Sequence, residues 1–324
     1  MTDRVWVERY RPQTLDEIIG HDAVVQRMKR FVNDAEMPNL LFAGRQGIGK
    51  TAIVQAFAKE KYGDDWKQRF LDLNASDDRG IDIVRDQIKD FARTGAGEYD
   101  FKIVFLDEAD QLTRDAQPAL RRTMEDYADV TRFVLSCNYP NQIIDPIQSR
   151  CAVFHLSPLS EGEVVNVLNR VVEGEGIDVE EEALEEIVRV SRGDARCAIH
   201  TLHACTLDGK LTVEDAQVLL GAVTYEAIEG IVEKVVAGDM EEAMAELDAE
   251  VLKRGASVDD VLEMFLRVVK RHDGFNPDAR VKALDALGRA DQRLREGANP
   301  HVQYHALLTT LQLARNSSTG GYDR

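Results

Sequence analysis

No stretch restricts what this chain can fold into more than Asn39–Thr51, NLLFAGRQGIGKT. Leu40 to Ala43 is a short apolar run suited to a buried parallel strand, and Ala52 to Tyr62 continues with helix formers. Between them Gly44, Arg45, Gln46, Gly47, Ile48, Gly49, Lys50 and Thr51 spell G-x-x-x-x-G-K-T. Strand, glycine loop and helix in that order predict a P-loop. The glycines let backbone N–H groups turn toward a triphosphate, and the helix N-terminus adds partial positive charge at the same point. Lys50 is expected to reach the β- and γ-phosphates of ATP, and Thr51 to offer its hydroxyl to Mg²⁺.

Four more β-runs follow, at Arg69–Leu73, Lys102–Leu106, Arg132–Cys137 and Ala152–Leu156, with helical periods between them. That alternation predicts a doubly wound parallel sheet. The Lys102 run ends in Asp107-Glu108-Ala109-Asp110, 57 residues past Lys50. An apolar strand running into Asp-Glu is the Walker B arrangement. Asp107 is expected to hold Mg²⁺, and Glu108 to orient or deprotonate the attacking water. Taken alone, the pair would also suit an acidic helix start stabilised by the helix dipole. Asn138 stands at the tip of another strand, where a polar side chain faces the γ-phosphate edge of such a sheet.

Thr14 to Val32 reads as one amphipathic helix or two, interrupted at Gly20, with Ile18 and Ile19 among the residues at core-like spacing. Residues 2–12, TDRVWVERYRP, read as an irregular arm. From Ser160 the periods are helical and no β-signal returns after residue 157. The helical tail from Tyr225 to Arg315 is broken near Gly255, Gly274–Pro277 and Gly297–Pro300. The expected organisation is an α/β P-loop domain over residues 1–159, a helical lid over 160–222 and an all-α collar over 223–324.

A net charge of −18 looks wrong for a nucleic-acid binder, yet residues 151–250 carry 6 Lys+Arg against 23 Asp+Glu. Residues 1–150 carry 22 against 26, so a DNA-facing patch on the nucleotide domain remains open. Surfaces this acidic also suit a salt-rich cytoplasm. Cys137, Cys151, Cys197 and Cys205 form no C-x-x-C pair, which argues against a zinc site or a disulfide framework. No apolar run approaches a membrane span and no export signal opens the chain, so a cytoplasmic protein is expected.

Several stretches together carry a resemblance: W-V-E-R-Y-R-P, N-A-S-D-D-R-G-I-D-I-V-R, F-L-D-E-A-D, S-C-N-Y, P-I-Q-S-R-C, G-D-A-R and E-G-A-N. In this order and spacing the chain resembles the replication factor C small subunits, AAA+ clamp loaders, in their archaeal form. The resemblance implies an ATPase that opens a ring-shaped sliding clamp (PCNA) and loads it onto primer–template DNA. It implies a hetero-oligomer, a pentamer, with a large subunit and other small subunits. Asn138 then matches sensor 1. Arg150 matches an arginine finger acting in trans on the neighbour's ATP, and Arg196 matches sensor 2 on the lid. Tyr10, Arg11 and Pro12 would pack beside the adenine.

Arg79, Arg85 and Arg114 are candidate phosphate contacts for DNA, although each also suits a solvated pair with Asp78, Asp82 or Asp115. Arg45, Gln46 and Ile48 depart from the family's G-P-P-G-T-G-K-T loop. Cys197 replaces a second basic residue after sensor 2, and His21 stands where glutamine is usual. These departures bear on hydrolysis rate rather than on binding. Two other readings compete. An inert structural subunit would have lost Lys50, Glu108 or Arg150, and another AAA+ DNA motor, such as a branch-migration helicase, would carry a winged-helix domain at its C-terminus.

Overall fold

The computed structural model describes residues 5–34, 36–76, 81–220, 225–252 and 257–316, without the side chains of 81–85, 217, 218, 252 and 316. The chain divides into two compact units, Met1–Leu211 and Thr212–Arg324.

In the first unit five strands form one parallel sheet: β1 (Asn39–Ala43), β2 (Phe70–Asn74), β3 (Lys102–Asp107), β4 (Thr131–Cys137) and β5 (Cys151–His155). Their order is β2-β3-β4-β1-β5, so β1 is an interior strand between β4 and β5 and the P-loop leaves the sheet from within it. Strand residues alternate between faces. Leu40 and Phe42 join Ile103, Phe105 and Val134 in a core with Met28, Ile53 and Phe57. Leu41 and Ala43 join Val104, Leu106 and Leu135 in a second core with Ile88, Leu120 and Met124. Both faces are therefore covered by helices, which explains why these strands read as continuous apolar runs. The doubly wound sheet expected from the sequence is present, with strand ends within one residue of those expected.

Three expectations need correction. Residues Trp6–Arg9 form a helical turn rather than an irregular arm. Four residues cannot sustain a helix alone; here the Trp6 ring stacks on His203 at 4.2 Å, and Arg9 pairs with Glu175 at 2.5 Å. Strand pairing also returns after residue 157, because Asp178–Val179 and Lys210–Leu211 pair in parallel. Two residues per strand are too few to leave a period in the sequence. Third, the helical tail has a break that was not expected, at Gly238, whose φ of 105° suits glycine.

Between those short strands lie helices Glu181–Ser191 and Ala195–Cys205, preceded by Glu161–Glu175. The Glu161–Glu175 helix opens on a reciprocal capping box between Ser160 and Glu163. The second unit is helical: Tyr225–Ala237, Met240–Leu247, a π-helical turn at Asp248–Leu252, Val258–Arg271, Pro277–Arg295 and Pro300–Asn316. These bury one core of their own, including Ile231, Phe265, Leu287 and Leu308. Among the described residues no helix is long and apolar enough to cross a membrane.

Candidate active site

The P-loop runs from β1 into the helix Lys50–Tyr62. Gly44 cannot carry a side chain, because a Cβ there would lie 2.5 Å from the carbonyl oxygen of Leu156. Gly47, at φ 75°, is held more tightly still: its Cβ would fall 1.9 Å from Oδ1 of Asp194. Asp194 caps the Ala195–Cys205 helix through Cys197 N, and Ala195 N donates to Gly47 O at 3.1 Å. The start of that helix is thus clasped to the phosphate loop. A departure in the loop meets one outside it, since His21 Nε2 lies 3.0 Å from the carbonyl of Ile48.

Lys50 is buried, and its ammonium donates to Gly44 O at 2.5 Å, Arg45 O at 2.8 Å and Asn138 Oδ1 at 2.9 Å. Burial lowers its pKa, opposed chiefly by the Asp107 carboxylate. Thr51 Oγ1 donates to Asp107 Oδ2 at 2.8 Å, so the two expected Mg²⁺ ligands already face each other. The other Asp107 oxygen accepts from Ser136 Oγ and, at 3.1 Å, from Glu108 N. Glu108 sits in the left-handed region, φ 54° and ψ 41°. That conformation costs a non-glycine residue about 1 kcal/mol or more, and it ends the strand abruptly at the carboxylate. Asp110, also buried, accepts from Asn138 N and Tyr139 N at 3.1 Å each, positioning Asn138.

A cavity of about 280 Å³ opens over this cluster. Gln46, Gly47, Ile48, Gly49, Lys50, Thr51, Asp107, Glu108, Asn138 and Arg196 all line it, as do Tyr10, Arg11 and Pro12. Gly44 and Arg45 do not; they contribute the carbonyls that hold Lys50. Ile18, which packs against the first core as expected, and Ile19 also form an apolar wall of the cavity with Val167 and Ile199 from the helices beyond residue 160. Tyr10 donates to Glu175 at 2.7 Å, and burial with that carboxylate raises the phenol's pKa. Arg11 donates to Gln55 at 3.0 Å, and Gln55 in turn to Asp72 at 3.1 Å. Sequence reading missed Ser136, Asp110 and Gln55, whose partners lie far away along the chain, and Asp194, whose local cap to Cys197 gives no sign of its place against Gly47.

The arrangement fits a nucleoside triphosphate with a divalent cation. A buried ammonium and glycine N–H groups stand at one end, a Thr–Asp oxygen pair beside them, and apolar side chains at the other.

Known proteins with this pattern can be set beside the chain. The family model "ATPase family associated with various cellular activities (AAA)" matches residues 40–159, and "Replication factor C C-terminal domain" matches residues 223–310. The replication factor C small subunit of Natronomonas pharaonis is 45% identical over 97% of this chain and 96% of its own. That of Methanococcus maripaludis is 42% identical over 94% and 98%. The chain belongs to the replication factor C small-subunit family. It is accordingly an ATPase with a nucleotide-binding AAA+ domain. The solved RuvB Holliday junction branch migration motor of Thermotoga maritima superposes with a TM-score of 0.54 at 19% identity, over 77% of this chain and 87% of that one. This second likeness is one of fold alone, and residues 223–310 match the replication factor C C-terminal domain.

In this replication factor C chain Arg150 stands apart from its own cavity. It lies on the surface after the Asp145–Gln148 turn, 2.6 Å from Glu125 and donating to Pro146 O at 2.8 Å. Arg114 is exposed just before the Ala116–Asp126 helix. Arg85 lies on the helix Ile81–Arg93 with its side chain outside the described residues, and Arg79 lies outside them altogether.

Lys50→Ala is expected to weaken ATP binding by at least about 100-fold, since hydrogen bonds to charged groups contribute ~1.5–3 kcal/mol each. Equilibrium binding of a fluorescent ATP analogue checks it, and unchanged affinity would refute the phosphate role of Lys50.

Proposed function

We propose that this chain is an ATPase subunit of a sliding-clamp loader that opens a ring-shaped clamp and places it on primer–template DNA. The observation that carries this reading is the split site. Lys50, Thr51, Asp107, Glu108, Asn138 and Arg196 share one cavity, whereas Arg150 is not among the residues that line it and lies on the surface beside Glu125. A site lacking its own finger is complete only beside a second subunit, as in a ring or open spiral of AAA+ chains.

In this reading residues 1–159 bind ATP, 160–222 form the lid and 223–324 the collar that joins a large subunit and other small subunits in a pentamer. Lys50 holds the β- and γ-phosphates. Glu108 takes or orients the proton of the attacking water, and Asn138, fixed by Lys50 and Asp110, aligns with the γ-phosphate. Mg²⁺ held by Thr51 and Asp107 would neutralise charge developing on the phosphate oxygens. Arg196, at the start of the Ala195–Cys205 helix, brings the lid over the bound nucleotide. Arg150 of one subunit supplies the cation that the next subunit's γ-phosphate needs in a dry site. ATP binding therefore closes the spiral around clamp and DNA, and hydrolysis releases them. Such a machine works in the cytoplasm.

A loader must act at any primer end, so DNA is gripped through phosphates, with Arg79, Arg85 and Arg114 as contacts. The test uses the assembled complex with ATP, a purified sliding clamp and labelled primer–template DNA. Clamp and DNA should be retained together only with ATP bound. Each Arg→Ala substitution should flatten the salt dependence of DNA affinity by about one unit of slope. A complex that retains neither partner would overturn the loader reading, and unchanged slopes would move the DNA track elsewhere.

A further inference from the structure

One polar cluster in the second unit has no part in the ATPase chemistry. His301 and His305 lie one turn apart on the helix Pro300–Asn316, so both imidazoles point from one face. Their rings stack at 4.3 Å with planes 24° apart. Both Nε2 atoms converge on a single oxygen, Oδ1 of Asp248, at 3.4 Å from His301 and 2.8 Å from His305. Asp248 opens the π-helical turn Asp248–Leu252, an element that is rare and often sits at functional sites. All three ligand atoms lie within 4.8 Å of one another.

We propose that Asp248, His301 and His305 bind one divalent transition-metal ion, Zn²⁺ foremost. Two imidazole nitrogens and one carboxylate oxygen are a donor set that Zn²⁺ takes readily, with water filling the fourth position. Tetrahedral Zn²⁺ with bonds of ~2.0–2.1 Å places its ligands about 3.3 Å apart, a spacing close to the 3.4 and 2.8 Å that already separate the two imidazoles from Asp248. The i, i+4 spacing supplies two ligands with no loop to order, and Asp248 adds the third from a segment 53 residues earlier.

Without metal the same side chains form a hydrogen-bonded trio. Nε2–H of His305 donates to Asp248 and holds its carboxyl below the usual range. In the metal-bound form both Nε2 atoms are lone-pair donors and the protons sit on Nδ1. The two states are therefore chemically distinct, and metal binding ties the Asp248–Leu252 turn to the last helix.

Isothermal titration of the EDTA-treated, nucleotide-free full chain with Zn²⁺ tests the proposal. Saturable binding of one equivalent is expected, and it should persist in Asp107→Asn, which removes the carboxylate of the nucleotide site. His301→Ala, His305→Ala and Asp248→Asn should each weaken binding by about 100-fold, no less than the loss of an outer-shell partner costs. Because His301 is 56% exposed, its replacement leaves the packing intact and keeps the test valid if His305→Ala unfolds. Zn²⁺ should also raise the unfolding temperature of the wild type but not of the His301→Ala variant. Binding that does not saturate, or that is indifferent to these substitutions, is adventitious and overturns the proposal.

Discussion

Arg150→Ala is expected to cut ATP turnover of the assembled complex by about 10³-fold or more, the usual worth of an arginine finger, and to leave the isolated chain at its basal rate. The side chain is held outward by Glu125 and the Pro146 carbonyl, and that ion pair is exposed on both sides, 38% and 41%. Exposed pairs contribute ~0–1 kcal/mol, so losing this one should not unfold the domain. A fall in turnover then reports chemistry rather than stability. Complexes built with Arg150→Ala in a single subunit should lose activity only at the neighbouring site. A defect of equal size in the isolated chain would mean that Arg150 serves its own fold, and the split-site reading would fail.

Glu108→Gln should slow hydrolysis by about 10²–10⁴-fold while ATP and clamp binding stay near wild type, because only the proton-accepting carboxylate is lost. Glutamine has the same shape, and the backbone contacts that fix residue 108 use its N–H, not its side chain. Single-turnover hydrolysis against ATP affinity makes the comparison. Turnover that survives would reduce Glu108 to a strand-end carboxylate in an unusual backbone conformation.

The features readable in the sequence were those written in consecutive residues. The loop Gly44–Thr51, the strand ending in Asp107-Glu108 and the alternation of strands and helices each carry a local period or spacing. From these the fold and the phosphate end of the cavity follow. The opposite wall was not legible. Trp6–Arg9 is held by His203 and Glu175, both more than 160 residues away. Ile18 and Ile19 have the spacing of core residues, and nothing local says that the surface they meet is a cavity. Asp110 and Ser136 resemble ordinary polar residues until folding sets them beside Asn138 and Asp107. Asp194 stands within the G-D-A-R stretch, yet its position against Gly47 follows from tertiary packing alone.

The clasp at Gly47 carries a consequence for exchange kinetics. The Ala195 amide is bonded to the Gly47 carbonyl and the Cys197 amide to Asp194. The Ala195 amide cannot meet solvent deuterium unless the phosphate loop and the first turn of the Ala195–Cys205 helix part company, whereas the Cys197 amide is freed by fraying of that turn alone. The two segments, almost 150 residues apart in sequence, therefore open as one cooperative unit, with a shared protection factor. A nucleotide seated on Lys50 would deepen the protection of Ala195 along with that of the loop itself, so that amide serves as a remote gauge of site occupancy.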